Sequence, residues 1–141
     1  MKILITGNQG YVGSLLTKYL RKKYPDYYLT GLDTGFFSSC LTEYNFLPER
    51  YLNQQIFLDM RSTNFDFLED FDSIVHLAGI SNDPIGNFHE GITKDINTEA
   101  SKKLITKSLN HKIKTFVFAS SCSIYGNTGN LIKDENSDLL P

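Results

Sequence analysis

The chain has 141 residues, enough for one domain with a substantial core and too few for two. A hydrophobic share of 40% and a charged share of 21% are those of a globular protein, and a net charge of -2 gives no electrostatic reason to expect nucleic acid or an anionic membrane as partner. Two cysteines, Cys40 and Cys122, are too few and too unpatterned for a disulfide framework or a metal site, and no basic leader or long apolar segment opens the chain, so a soluble cytoplasmic domain without metal is expected.

Ile3, Leu4 and Ile5 form a short apolar run that ends at Thr6. Gly7, Gly10 and Gly13 follow at even spacing, and Val12, Leu15, Leu16, Tyr19 and Leu20 begin a helical pattern at once. The order is strand, tight turn, helix. The first glycine would let the chain turn off the strand, the second would admit a phosphate with no Cβ in its way, and the third would let the helix pack close to the sheet. The helix N-terminus would then offer free N–H groups and partial positive charge to a pyrophosphate. Pro25 should stop the helix near Tyr24. Residues 27–33 read as a second strand, ending in Asp33, 20 positions after Gly13. A carboxylate there can accept both hydroxyls of an adenosine ribose. No Arg or Lys lies between Asp33 and Glu49 to neutralise a ribose 2′-phosphate, so NAD is expected in preference to NADP.

Residues 36–51 are irregular and aromatic, with one helical turn expected at 41–47. A third strand at 55–59 ends in Asp59-Met60, after which Ser62 or Thr63 should cap a brief helix through Leu68. Residues 73–77 read as strand four, closed by Ala78-Gly79; small residues there would let a flat ligand lie against the backbone, or simply make a tight turn. A loop follows, with Asn82-Asp83-Pro84 and Gly86. Over 90–110, Ile92, Ile96, Ala100, Leu104, Ile105 and Leu109 recur at helical spacing, and Lys94, Lys102, Lys103 and Lys107 read as a solvated face. Residues 115–119 form an apolar fifth strand of the kind covered on both sides, leading into Ser120-Ser121-Cys122-Ser123-Ile124-Tyr125-Gly126, and the rest reads as a polar loop. Strands alternating with helices predict an α/β fold: a Rossmann-like doubly wound parallel sheet of order 3-2-1-4-5, one domain over 1–141. Ligands of such sheets bind beyond the carboxyl ends of the strands. Gly7, Asp33, Asp59, Ala78-Gly79 and Ser121 all follow strand ends.

These pieces, with His76-Leu77-Ala78-Gly79 and Asn97, occur in the order found in the extended short-chain dehydrogenase/reductases, and the chain resembles their NAD-dependent branch of nucleotide-sugar epimerases and dehydratases. The resemblance implies that backbone groups of Tyr11 and Val12 help hold the pyrophosphate, Asp33 the adenine ribose, and Asp59 with Met60 the adenine edge. It implies that Ala78 and Gly79 flank the nicotinamide half, and that Ser121 matches the active-site serine or threonine that hydrogen-bonds the substrate hydroxyl. His76 reads as structural and Asn97 as a backbone binder or a site residue. The family's catalytic Tyr-x-x-x-Lys would fall beyond Pro141; Tyr19-x-x-x-Lys23 fits the letters, but on the first helix it cannot present a base to a substrate. The chain is therefore read as the N-terminal cofactor-binding portion of a nucleotide-sugar enzyme, cut before its catalytic helix and inactive alone. A non-catalytic dinucleotide sensor and an NADH-dependent reductase are the alternative readings. Self-association through the helix at 90–110 and strand five is also expected.

Overall fold

The computed structural model describes residues 1–37, 47–81, 88–126, 129 and 131–140. Five strands, β1 (Lys2–Thr6), β2 (Tyr28–Asp33), β3 (Gln54–Phe57), β4 (Ser73–His76) and β5 (Thr115–Phe118), pair in parallel in the order β3-β2-β1-β4-β5. The predicted sheet is thus the observed one. Side-chain alternation along the strands divides the core in two. Ile3, Ile5 and Leu29 face one side and pack with Leu20 of helix α1 (Tyr11–Lys23), Leu52, Val75 and Leu77. Leu4, Leu32 and Ile74 face the other, against Met60, Phe65, Leu68, Ala100 and Leu104.

Helix α1 stops one residue short of Tyr24, whose N–H still reaches Leu20 O at 2.8 Å. Arg21 ties that end down, donating to the carbonyls of Tyr51, Pro25 and Tyr27 and to Asn53 Oδ1. The helix expected over 90–110 is present but not uniform: α2 (Glu90–Lys94) widens into a π-helical turn (Asp95–Ala100) before α3 (Ser101–Asn110). The apolar positions Ile92, Ile96, Ala100 and Leu104 are spaced by four, which in an ideal helix drifts about 40° per step. A wider turn absorbs that drift and keeps Ala100 and Leu104 on the core.

Two expectations need correction. The brief helix after β3 is two separate 3-10 turns, Met60–Ser62 capped by Asp59 rather than by Ser62 or Thr63, and Asp66–Asp70. Phe65 between them has φ 58°, a left-handed conformation that breaks the helix, and its buried ring fixes the break in place. Strand β5 lies at the sheet edge, and Val117 and Phe118 are half exposed rather than covered on both sides. The turn expected at 41–47 lies, except for Leu47, outside the described residues, as do Cys40, Asn82-Asp83-Pro84 and Gly86. Near the C-terminal end, Leu140 N–H donates to Ile124 O at 3.0 Å, so residues 139–140 return to the turn that follows β5.

Candidate functional site

Hydrogen bonds continue past the strand ends and hold the predicted site residues on one edge. Gly7 N–H donates to Leu32 O (2.8 Å), Leu58 N–H to Asp33 O (3.0 Å), Leu77 N–H to Thr6 O (3.0 Å) and Ala119 N–H to His76 O (3.1 Å). The segments carrying Gly7, Asp33, Asp59, Ala78 and Ser121 are therefore aligned across all five strands.

Within the glycine turn the three glycines differ in what surrounds them. Gly7 has φ +73°, and a Cβ on it would lie 2.7 Å from Ala78 N, so the turn needs glycine for its conformation and for its approach to the end of β4. A Cβ on Gly13 would lie 2.2 Å from Gly7 O, because α1 sits directly on the turn. Gly10 is the least crowded of the three: among the described residues a Cβ there would meet only Gly7 O, in a tight contact at 3.3 Å. Gly10 precedes the first helical residue with extended backbone and no side-chain cap, and the ladder starts with Ser14 N–H to Gly10 O. The amides of Tyr11 and Val12 thus belong to the first turn, whose N–H groups have no intrahelical acceptor. No acidic residue occupies that turn, and the positive end of the helix is uncompensated by its own side chains.

Asp33 is half buried at the end of β2. Its Oδ2 accepts from Gln9 N–H (3.0 Å) and its Oδ1 from Gly35 N–H (2.9 Å), which fixes the carboxylate while leaving each oxygen capacity for a further donor. Two polar side chains of the glycine turn fold inward beside it. Asn8 is fully buried and exchanges amide hydrogen bonds with Gln55 of β3 (2.7 and 3.3 Å), filling space that a Cβ on Gly31 would take. Gln9 donates from Nε2 to Glu49 Oε1. Sequence reasoning missed Asn8, Gln9, Gln55 and Glu49; the one local clue was Gly31, a glycine inside a strand, which marks close approach of another group.

At the end of β3, Asp59 caps its 3-10 turn and is held by Arg61, whose Nε lies 3.0 Å from both carboxylate oxygens. The hydrogen bonds from the Arg61 side chain hold the Asp59 carboxyl below the usual carboxylate range. The Met60 side chain lies in the core, so only its main chain is left to face a ligand. After β4, Ala78 N–H donates to Thr6 Oγ1 (3.3 Å). Asn97, on the π-helical turn, clamps the main chain of Ile80 by accepting from its N–H and donating to its carbonyl, both at 2.8 Å. It is a backbone binder, and Gly79 leaves room for it: a Cβ there would sit 3.2 Å from Asn97 Oδ1.

His76 is structural. Its ring bridges Thr6 Oγ1 (2.6 Å) and Ser101 Oγ (2.8 Å) with 1% of its surface exposed, and burial lowers its pKa to about 4. Ser121 is exposed, caps the 3-10 turn Cys122–Tyr125 by accepting from Ser123 N–H, and lies 2.5 Å from Ser123 Oγ. Tyr19 and Lys23 hydrogen-bond each other at 2.9 Å on the exposed side of α1, apart from the strand ends, and that bond raises the Lys23 pKa. Lys102, Lys103 and Lys107 pair with Glu99, Asn64 and Asp66, as a solvated face does.

Residues 3–141 match the family model described as the NAD dependent epimerase/dehydratase family. The chain is 33% identical over 153 residues to an uncharacterized UDP-glucose epimerase of Bacillus subtilis, covering 100% of this chain and 46% of that protein. It is 29% identical over 145 residues to a dTDP-D-glucose 4,6-dehydratase of Dictyostelium discoideum, covering 97% of this chain and 32% of that one. The structure of a UDP-glucuronic acid 4-epimerase from Bacillus cereus, in complex with UDP-glucuronic acid and NAD, superposes with a TM-score of 0.78 at 27% identity, covering 100% of this chain and 46% of the other. The chain spans less than half the length of these relatives.

Proposed function

The chain belongs to the NAD-dependent epimerase/dehydratase family, and on that premise we propose that residues 1–141 form the NAD-binding portion of an enzyme that epimerises or dehydrates a nucleotide sugar. The observation that carries the reading is the contrast among the glycines. Gly7 and Gly13 have their Cβ positions filled by the protein itself, whereas at Gly10 the one described atom near a Cβ is Gly7 O, at 3.3 Å, and the residue stands at the N-terminus of α1, where a pyrophosphate would need to approach. In this reading the amides of Tyr11 and Val12 meet the pyrophosphate, Asp33 accepts from the adenosine ribose hydroxyls, and Asp59 with the main chain of Met60 meets the adenine edge. Ala78 and Gly79 keep the nicotinamide side free of bulk, and the Ser121 hydroxyl holds the sugar hydroxyl. Bound NAD would supply transient acceptance and return of a hydride at a sugar carbon. A serine hydroxyl is too weakly acidic to serve alone as base at neutral pH, so these residues are expected to bind NAD without turnover.

Calorimetric titration of the chain with NAD and NADP tests the reading. NAD should bind more tightly, and Asp33→Asn should narrow the difference. Equal or tighter NADP binding by the unaltered chain would refute the role given to Asp33.

We extend the reading to a cytoplasmic protein that associates through α2, α3 and β5. No helix among the described residues is long and apolar enough to cross a membrane, and Cys122 is an exposed free thiol. Ile92, Leu109, Val117 and Phe118 are exposed, while Ala100 and Leu104 stay in the core and cannot contribute to a contact. Sedimentation equilibrium should show a concentration-dependent mass that Leu109→Lys with Val117→Lys lowers; a monomer at high micromolar concentration would end this part of the reading.

A further inference from the structure

Gln9 connects two carboxylates. Its main-chain N–H donates to Asp33 Oδ2 at 3.0 Å, and its side-chain Nε2 donates to Glu49 Oε1. Gln9 is 3% exposed, and the remaining atom of its side-chain amide, Oε1, is buried with no hydrogen-bond partner among the described residues. Glu49 Oε2 is likewise buried without a partner among the described residues. Both belong to the region of Asp33: Gln9 Oε1 lies 3.2 Å from where a Cβ on Gly35 would stand, and Gly35 N–H holds the other oxygen of Asp33. Gln9 hydrogen-bonds both acids, and the reach of one glutamine sets their carboxylates on the order of 10 Å apart. That is about a Debye length at physiological ionic strength.

Buried acceptors without donors are costly, and such a pair is complete only when something donates to it. A ribose hydroxyl is a donor. A phosphate near neutral pH brings acceptor oxygens and negative charge, the two features this corner already has in excess. We propose that Glu49, oriented by Gln9, is a second determinant of cofactor choice beside Asp33, with Glu49 Oε2 and Gln9 Oε1 favouring the ribose hydroxyl of NAD and rejecting the 2′-phosphate of NADP. The proposal rests on the NAD-binding reading above. It explains why the acid stands in the 3-10 turn Pro48–Tyr51, far along the chain from the glycine turn, yet is engaged by it.

The test is titration of NAD and NADP into the chain and into Glu49→Gln, both also carrying Asp33→Asn so that NADP binding is strong enough to measure. Glu49→Gln keeps the size of the side chain, removes its charge and adds a donor. It should lower the NAD-to-NADP affinity ratio about tenfold, the scale expected of one charge at this range. The shift should shrink as salt is raised from 50 to 500 mM, roughly the range over which screening shortens from above to below the separation of the two acids. Thermal denaturation of each variant identifies any that is unfolded, and Glu49→Ala, which removes the charge without adding a donor, then serves in place of Glu49→Gln. An unchanged ratio in a folded variant that binds NAD overturns the proposal for Glu49 alone. Failure of the unaltered chain to bind NAD overturns the reading beneath it and the proposal with it.

Discussion

Gly13→Ala is expected to unfold or severely destabilise the chain, whereas Gly10→Val should leave it folded and weaken NAD binding about a hundredfold. The two glycines sit in one turn, three residues apart, and differ in what a Cβ would touch. At Gly13 it would lie 2.2 Å from Gly7 O and 2.6 Å from Asn8 Cα, backbone atoms that cannot move without shifting α1 off the sheet. Overpacking against backbone of this kind costs roughly 3 kcal/mol or more, a large part of the ~5–15 kcal/mol that holds a domain folded. At Gly10 the extended backbone suits any residue, and a Cβ would meet only Gly7 O, at 3.3 Å, a contact relieved by a shift of a few tenths of an ångström rather than a clash. Valine is a poorer N-cap than glycine by about 1 kcal/mol, which the fold can bear. Its branched side chain would fill the approach to the helix N-terminus, and NAD affinity should fall about a hundredfold, equivalent to ~2.8 kcal/mol. Thermal denaturation and calorimetry of both variants read the two effects separately. Normal NAD binding by Gly10→Val would reduce the glycine run to an ordinary turn.

The sheet was legible because its information is local. Apolar runs of strand length, three evenly spaced glycines and the acid that closes β2 can each be read within a few residues, and their alternation with helices leaves few topologies. What escaped was pairing between distant residues. Nothing near Gln9 points to Glu49, 40 positions away, and nothing near Asn8 points to Gln55, 47 positions away; polar residues in a glycine turn are compatible with solvent until the fold brings their partners in. The π-helical turn escaped because a spacing of four lies between the α and π repeats and was read as the former. Strand β5 was misjudged for a related reason: an apolar run reports that a strand seeks cover on both faces, not which chain segment supplies it.

The stability of the chain should fall as pH drops from about 6.5 to about 4, and His76 is the cause. The hydrogen-bond network assigns its state. Thr6 Oγ1 accepts from Ala78 N–H, so the hydroxyl hydrogen of Thr6 is free to point at His76 Nδ1; Nε2–H then donates to Ser101 Oγ, whose hydrogen turns to Ile96 O at 3.4 Å. Every atom in this chain of contacts is served by a neutral ring. A second proton on Nδ1 would face the Thr6 hydroxyl across 2.6 Å and place a charge between the rings of Phe116 and Phe118 with no carboxylate among its hydrogen-bond partners. Burial accordingly lowers the folded-state pKa to about 4, against about 6.5 for an unfolded histidine. The unfolded chain binds the proton first, so stability is complete above pH 6.5 and is lost at up to ~1.4 kcal/mol per pH unit, about 3 kcal/mol in all by pH 4. The depressed carboxyls of Asp59 and Asp72 titrate below this window and add their loss only in stronger acid. Urea denaturation at pH 7.5, 6.0 and 5.0 should therefore show a midpoint that falls with pH, steeply in the unaltered chain and much less in His76→Gln. The variant starts lower, because a glutamine amide cannot span from Thr6 to Ser101 and leaves a buried hydroxyl unpaired at a cost of about 1–3 kcal/mol. Parallel pH dependence in the two proteins would mean that His76 titrates alike in the folded and unfolded states, and would break the link between its burial and the joining of β1, β4 and α3.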